Sequence, residues 1–595
     1  MDGVPESDTI GGRPGAGATV SGAEALLDTL IACGVDTVFG YPGGAALPLY
    51  DALYHRPALR HVLVRHEQGA VHAAEGYARS TGKLGVVMVT SGPGVANTIS
   101  GLLDAMSDSI PVLCISGQVA TSLIGTQAFQ ESDAIGMSAP VTKWNVQAAR
   151  GEDLPALVRE AVARAMSGRP GPVLIDVPKD VQLQRVDARL AAKPGARQAP
   201  LPLPNSQVLD DAVNWLLHAR SPVLYGGGGL VNSGSRACRL FTALATRLNL
   251  PTTLTLMGLG AFPASGAQFI GMLGMHGRLE ANQAMHHADL VVCVGARFDD
   301  RVTGRLDDFS PNSRRIHIDI DRSSIGRLVR ADAGLHGDCE AVLSLLLERL
   351  PAQDPEPARL DAWWQRIEGW RSRQSLAFAP STESILPQHL MSELQAQLEG
   401  RDAIVSTDVG QHQMWAAQYL HFERPGRWLT SGGAGTMGYG LPAAIGAQVA
   451  HPDASVVCVS GDASILMNIQ ELSTATQHGT PVKVVLCNNG YMGMVRQWQQ
   501  LNHNNRISHS WNAALPDFVA LARACGWSAR RVDDPAELSA AIEECLSTPG
   551  PFFLDVHVAA LANCFPMIPT SCSHNQMMLS ENEWFREDAA PQAVA

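Results

Sequence analysis

The sequence predicts an α/β protein of three doubly wound parallel-sheet domains, and three observations carry that prediction. Short apolar, β-rich runs alternate with longer helical stretches along the chain: HVLVRHE, GVVMVTSGPG, PVLCISGQ, PVLIDVP, ADLVVCVGARF, RRIHIDID, SVVCVSGD and TPVKVVLCNN. Runs closed by Gly, Ser, Asp or Asn and followed by helical periodicity read as strands buried on both faces of a parallel sheet. Two stretches interrupt the alternation: 187–205, with KPGARQAPLPLPN, and 351–387, which opens PAQDPEPARL and holds Trp363, Trp364 and Trp370. Both read as linkers. Third, 86–117 and 456–488 share one layout of strand, Ser-Gly turn, helix, Pro and second strand, with Ser91 to Pro111 spanning 20 positions and Ser460 to Pro481 spanning 21. Either one doubly wound unit occurs twice, by duplication, around a different middle domain, or the likeness is what any two βαβ units share.

Taken in order, a loose N-terminal tail is expected over 1–17 and a first domain over 18–186. The 187–205 linker leads to a central domain over 206–350. The 351–387 linker then leads to a third domain over 388–579 and a tail over 580–595. At roughly 150 residues per domain, 595 residues correspond to about four compact units or, equally, three large ones. With 46% hydrophobic and 17% charged residues, and 56 Gly, the chain can bury extensive cores, which excludes disorder as its main state. Lys plus Arg is 44 against 57 for Asp plus Glu, a net charge of -13 that argues against a broad phosphate-binding surface. Small molecules or proteins, rather than nucleic acid, are the expected partners. The 11 cysteines are odd in number and hold no C-x-x-C pair, as expected of reduced thiols in a cytoplasmic protein. The first residues carry acids and Gly rather than a basic region followed by an apolar stretch, so no targeting peptide is expected. No run approaches about 18 apolar residues, so no membrane-spanning helix is expected.

The chemistry-bearing residues cluster most specifically near 462–489. Asp462 lies just past one apolar strand and Asn489 just past the next, 27 positions on, so both side chains emerge at the carboxyl edge of one sheet. That edge is where α/β folds bind ligands. A carboxylate, an amide oxygen and a nearby main-chain carbonyl, with the remaining positions left to diphosphate oxygens and water, are how proteins hold Mg²⁺ beside a phosphorylated ligand. Gly461, Ala463 and Ser464 open the helix whose N–H groups meet the diphosphate.

With this pair the chain resembles the thiamine diphosphate (ThDP) enzymes, whose signature is Gly-Asp-Gly, about two dozen residues, then Asn-Asn. Here Ala463 replaces the third Gly, and the run closes on Asn488-Asn489. The resemblance implies Asp462, Asn489 and Tyr491 as metal ligands. It also implies Glu67, where HVLVRHEQGAVHAAEGYAR passes from strand to helix, as the acid that bonds the cofactor's N1′ and promotes loss of its C2 proton. In that family the two halves of the site come from different subunits, so a homodimer or homotetramer is implied.

Within the superfamily, the chain from about Gly22 to about Leu579 is similar to the acetohydroxyacid (acetolactate) synthase large catalytic subunits. Tyr41-Pro42-Gly43-Gly44, Gly92-Pro93-Gly94 with Asn97, and Ala128-Phe129-Gln130-Glu131 match segments around the aminopyrimidine and the substrate. Val409-Gly410-Gln411-His412 and Gly493 match the diphosphate side, and Gly435-Thr436-Met437-Gly438 matches the loop whose apolar residue bends the cofactor. In the middle domain Tyr225-Gly226-Gly227-Gly228-Gly229 follows a strand; alone it reads as a flexible turn or as a dinucleotide approach. Thr255-Leu256-Met257, Met275-His276-Gly277, Gly295 to Arg301 with Arg297, Asp300 and Arg301, then Val302, Asp319, Ile320 and Asp338 look like the FAD-contacting segments. The resemblance therefore implies bound FAD beside ThDP and Mg²⁺.

Met494, Val495 and Trp498 match the segment that closes over the active site, where the tryptophan favours 2-oxobutyrate over pyruvate as acceptor; a methylene in an apolar pocket is worth about 1–3 kcal/mol. Lys179 matches a channel-mouth lysine that attracts 2-oxoacid carboxylates, and reads equally as a solvated lysine. Phe129, Gln130 and Glu67 complete the catalytic set that the resemblance implies. Ala120, where many relatives have Pro, and the 570–573 segment depart from the family pattern at its herbicide channel. The implied reaction is decarboxylation of pyruvate and condensation with pyruvate or 2-oxobutyrate, giving 2-acetolactate or 2-aceto-2-hydroxybutyrate for branched-chain amino acids. A small regulatory subunit is a further implied partner. A flavin oxidase of pyruvate and a non-catalytic scaffold are the competing readings.

Overall fold

The computed structural model describes residues 18–193, 201, 203–570 and 572–586. The tail expected over 1–17 lies outside them, as do 194–200 and 202 of the expected linker, Ser571, and 587–595.

Three six-stranded sheets organise the chain, and every strand pair in them is parallel. The first holds Thr37–Gly40, Arg60–Leu63, Gly85–Val89, Val112–Gln118, Trp144–Gln147 and Val173–Pro178. Numbered along the chain, they lie in the order 2-1-3-4-6-5. The third sheet holds Ala403–Thr407, Trp428–Leu429, Ser455–Gly461, Lys483–Asn488, Ser528–Val532 and Phe552–His557, in the same order 2-1-3-4-6-5. The middle sheet differs. Its strands Pro222–Gly226, Thr252–Leu254, Phe269–Met272, Leu290–Val294, Arg314–Asp319 and Ala333–His336 lie 3-2-1-4-5-6, the dinucleotide-binding order. The expected fold class is the observed one, and the faint likeness between the outer blocks is a shared topology.

Central strands such as Val112–Gln118 and Lys483–Asn488 are buried at every position because helices cover both faces. Each fully buried Val, Leu or Ile there contributes about 1.5–3 kcal/mol, which is why these runs are continuously apolar rather than alternating. The 351–387 stretch is not extended throughout. Its Asp361–Arg371 helix buries Trp363 and Trp370 against the middle domain, with Trp363 Nε1 donating to Pro222 O at 3.0 Å.

The outer domains meet through the Glu67–Thr81 and Gly440–Ala450 helices, each of which joins the second strand of its sheet to the third. Their sequences, EQGAVHAAEGYARST and GLPAAIGAQVA, are rich in Gly and Ala, and the contact needs that. A methyl group at Gly76 would overlap Ala443 O, and one at Gly446 would overlap Ala73 O, so the two backbones touch. The contact is reciprocal: a glycine of each helix receives the carbonyl three residues before the other's glycine.

Candidate functional site

In the third sheet, Ser455–Gly461 lies between Ala403–Thr407 and Lys483–Asn488, with Gly461 opposite Cys487. Asp462 and Asn489 therefore leave adjacent strands at the same edge, as their spacing predicts; the strand order reverses next to them, between Ala403–Thr407 and Ser455–Gly461. Asp462 is buried, and Asn512 Nδ2 donates to its Oδ2 at 2.9 Å, while Oδ1 is buried with no hydrogen-bond partner among the described residues. Burial pushes this carboxyl up to about 6. Asn489 Oδ1 accepts the Tyr491 N–H at 3.0 Å, because Gly490, at φ 72°, turns the chain back there. One lone pair on that oxygen remains. An orphaned carboxylate oxygen beside an amide oxygen is a donor set that fits a hard divalent cation.

His412 packs against Gly461, where a methyl group would stand 2.8 Å from the imidazole. Burial lowers its pKa to about 3, so the ring is neutral, and its Nε2 has no partner in the cavity wall. Gln411 Nε2 is fixed by Gln497 Oε1 at 2.7 Å and Ala562 O at 3.0 Å.

The loop carrying Gly435 and Met437 is held from both outer domains. Asp408 Oδ1 accepts Gly438 N at 2.8 Å, and Asn468 Nδ2 donates to Gly438 O at 2.8 Å. From the first domain, Asp104 Oδ1 accepts Ser431 Oγ at 2.5 Å and Thr436 Oγ1 at 3.0 Å. Asp108 accepts the N–H groups of Gly432 at 2.8 Å and Gly433 at 2.7 Å. Asp104 is buried against Glu75, and burial holds both carboxyls well above the usual range, with repulsion from Glu75 and Asp108 adding to it at Asp104 and repulsion from Asp108 at Glu75.

In the middle domain the order reverses between Pro222–Gly226 and Leu290–Val294, and the glycines sit there. Gly227 N donates to Val294 O at 3.0 Å and Gly229 N to Gly295 O at 2.9 Å. A methyl group at Gly229 would stand 2.9 Å from Gly295 Cα, so only glycine permits this approach. Asp319 is held by Asp321 N at 2.8 Å, and burial raises its carboxyl to about 6. Asp338 caps the Cys339–Arg349 helix through Glu340 N at 2.9 Å and accepts Ser233 Oγ.

A cavity of about 1530 Å³ joins these two edges. Drug-sized ligand sites run to roughly 1,000 Å³, so this space exceeds what one such ligand fills. Of the residues expected at FAD, all but Gly227 and Gly277 line it; Val409, Gly410, Gln411, His412, Gly435, Met437, Gly461 to Ser464, Asn489, Tyr491 and Gly493 line it from the third domain. Met494, Val495 and Trp498 line it as well, as does Thr570.

The first-domain set lies elsewhere. Tyr41, Pro42, Gly43, Glu67, Pro93, Asn97, Phe129, Gln130 and Lys179 are not in the cavity wall of the single chain. Glu67 opens its helix, and Asn97 Nδ2 donates to its Oε2 at 3.0 Å. Phe129 is 87% exposed and Tyr41 40%, and Gln130 adopts φ 60°. Lys179 opens the short Lys179–Leu183 helix. Sequence reasoning did not single out Asn512, Asp408, Asp104 or Asp108. Asn512 lies in a loop with no periodic signal, and the two first-domain acids read as ordinary helix residues.

The three domains match three family models: the thiamine pyrophosphate enzyme N-terminal TPP binding domain over residues 20–137, the central domain over 209–346, and the C-terminal TPP binding domain over 408–556. The chain is 47% identical to the acetolactate synthase isozyme 3 large subunit of Escherichia coli (strain K12), covering 95% of this chain and 99% of that protein. It is 46% identical to the acetolactate synthase large subunit of Parasynechococcus marenigrum, over 96% and 93% of the two chains. Identity to the Haemophilus influenzae large subunit is 43%, over 94% and 98%.

Proposed function

The chain belongs to the thiamine pyrophosphate enzymes, among the acetolactate synthase large subunits, and from that premise we propose that it condenses pyruvate with a second 2-oxoacid in branched-chain amino acid biosynthesis. The observation that carries the reading is one cavity bordered by two ligand edges: Asp462 and Asn489 on one, Gly228, Gly229, Arg297 and Asp319 on the other. Bound ThDP supplies a carbon nucleophile for the keto carbon of pyruvate and a sink for the electron pair left when CO₂ departs.

The chain's own residues do the rest. Asp462 Oδ1, Asn489 and Tyr491 hold Mg²⁺ against the diphosphate, Met437 packs on the cofactor, and Glu67 holds a proton at the aminopyrimidine N1′. The middle-domain glycines, Arg297, Arg301, Asp319 and Asp338 hold FAD. Trp498, with Met494 and Val495, closes an apolar wall over the acceptor, so 2-oxobutyrate competes with pyruvate there. Lys179, outside the cavity of its own chain like Glu67, attracts their carboxylates to the site assembled from two chains. Water is kept from the reacting centre by this wall.

Glu67 stands outside the cavity of its own chain, which supports assembly of the site from two chains, in a homodimer or homotetramer. The relatives are named large subunits, which supports a smaller regulatory partner. Among the described residues no helix is long and apolar enough to cross a membrane, and all 11 cysteines are free, which supports the cytoplasmic reading.

The test is acetolactate formation from pyruvate by purified protein with ThDP, Mg²⁺ and FAD, each omitted in turn. Product that requires ThDP and Mg²⁺ and falls when FAD is stripped supports the reading. Pyruvate consumption coupled to reduction of an acceptor, without acetolactate, overturns it in favour of an oxidase.

A further inference from the structure

Glu67 leaves the turn that joins Arg60–Leu63 to its helix, and that turn is not held by its own domain alone. Glu471, the first residue of the Glu471–His478 helix in the third domain, is 1% exposed and turns its carboxylate onto it. Arg65 N donates to Oε1 at 3.0 Å and to Oε2 at 3.3 Å, so both oxygens of the carboxylate meet one main-chain N–H of the turn. Thr474 Oγ1 fixes the carboxylate from behind, at 2.6 Å to Oε2. On the same helix, His478 Nε2 accepts Leu63 N at 2.9 Å and Gln477 Oε1 accepts the Arg65 guanidinium. Gly69 leaves room for this carboxylate; a methyl group there would stand 2.7 Å from Oε1.

Burying a carboxyl in this way is costly, and here burial pushes it up to about 7. A pair of apolar residues would join the two domains more cheaply, so the polar contact is explained by what it aims. Arg65 and His66 immediately precede Glu67, and the orientation of their peptides sets the direction of its Cα–Cβ bond. Asn97 then fixes the far end of the side chain.

We propose that Glu471 is a positioning residue for Glu67: reaching across from the domain that carries the ion ligands, it fixes the Arg65–His66 main chain and so the direction in which the Glu67 carboxyl leaves the turn. The inference rests on the reading of Glu67 as the group that addresses the aminopyrimidine. Displacements of about 1 Å in such constellations cost about 100-fold in rate.

The experiment compares wild type, Glu471→Ala, Gly69→Ala, Glu471→Gln and Glu67→Gln in two assays on the full-length protein. The first is amide hydrogen exchange of the 62–68 segment in protein free of ThDP. The second is exchange of the C2 proton of bound ThDP without substrate, alongside the affinities for FAD and for ThDP with Mg²⁺. Glu471→Ala is expected to speed amide exchange in the segment and slow C2 exchange about 10- to 100-fold, with both affinities kept within about threefold. Gly69→Ala, which displaces the carboxylate from the other side while favouring the helix, is expected to do the same. Glu471→Gln keeps one carbonyl acceptor and is expected to restore most of both signals.

Unchanged amide protection, or freed amides with unchanged C2 exchange, overturns the proposal. A parallel loss of both cofactor affinities overturns it too, since that is what a general structural role produces. If Glu471→Ala does not fold, Gly69→Ala and Glu471→Gln decide by the same criteria. Glu67→Gln is expected to slow C2 exchange with the amides still protected; normal C2 exchange there would overturn the reading of Glu67 itself, which the amide assay keeps separate from the role of Glu471 in holding the turn.

Discussion

Asn512 occupies one oxygen of Asp462 and leaves the other buried and unpaired, so the side chain is oriented before any ion arrives. The hydrogen bond fixes which lone pairs face the cavity, and Asn489, tied to Tyr491 N, is fixed in the same way. Removing the orienting group is a different lesion from removing the ligand. Asn512→Ala is expected to weaken Mg²⁺-dependent ThDP binding about tenfold, the equivalent of one hydrogen bond to a charged group. Asp462→Ala is expected to abolish it. Calorimetric titration of ThDP with and without Mg²⁺ checks both, and equal losses would refute the division of roles.

Asp319 makes the flavin-free protein sensitive to pH. Burial holds its carboxyl near 6 against 3.8 in an unfolded chain, with Asp321, Arg169, Arg297 and His317 facing it. Because the folded-state pKa is raised, folding takes up a proton between these values. The contribution to stability is full below about pH 4 and is lost as pH rises through about 6, an effect of up to about 3 kcal/mol. Asp319→Asn is expected to remove that part of the pH dependence, read as the difference between wild-type and variant melting temperatures from pH 4 to 7.

The crossing of the Glu67–Thr81 and Gly440–Ala450 helices permits a test in which intrinsic propensity and packing oppose each other. Alanine favours an isolated helix over glycine by about 0.5–1 kcal/mol. At Gly446, however, the new methyl meets Ala73 O, and at Gly76 it meets Ala443 O. Gly446→Ala and Gly76→Ala are each expected to destabilise by about 2–3 kcal/mol, measured by denaturant unfolding. A neutral or stabilising result would mean the helices can separate at little cost.

Asp108 is expected to matter to the cofactor loop from outside it. Its side chain is fully buried, 3.7 Å from the Arg79 guanidinium, and takes two loop amides. Asp108→Ala strands a buried guanidinium, an effect of about 3–5 kcal/mol. The expected signature is a lower melting temperature together with faster amide exchange over 431–438.

How much of this was legible in the sequence depended on range. Asp462 and Asn489 could be paired because strand-end residues one βαβ unit apart must share an edge, and the alternating apolar runs gave the fold class for the same reason. Glu471 and Asp104 were not legible as partners of anything. Each sits inside a helix, and the groups they bond lie 406 and 327 positions away, where no periodicity connects them. Asn512 was missed because a loop residue carries no pattern until the chain folds back. The cavity residues of the middle domain came from resemblance; their glycines alone favoured a flexible turn over a dinucleotide approach.

The reciprocal helix contact places an approximate two-fold axis inside a single polypeptide, relating two units of identical strand order. An interface of that symmetry is the kind two identical protomers make. Here the tether through the middle domain makes it an intramolecular encounter, so its occupancy is set by an effective concentration rather than by how much protein is present. Dilution can separate two chains, but it has no purchase on this pair.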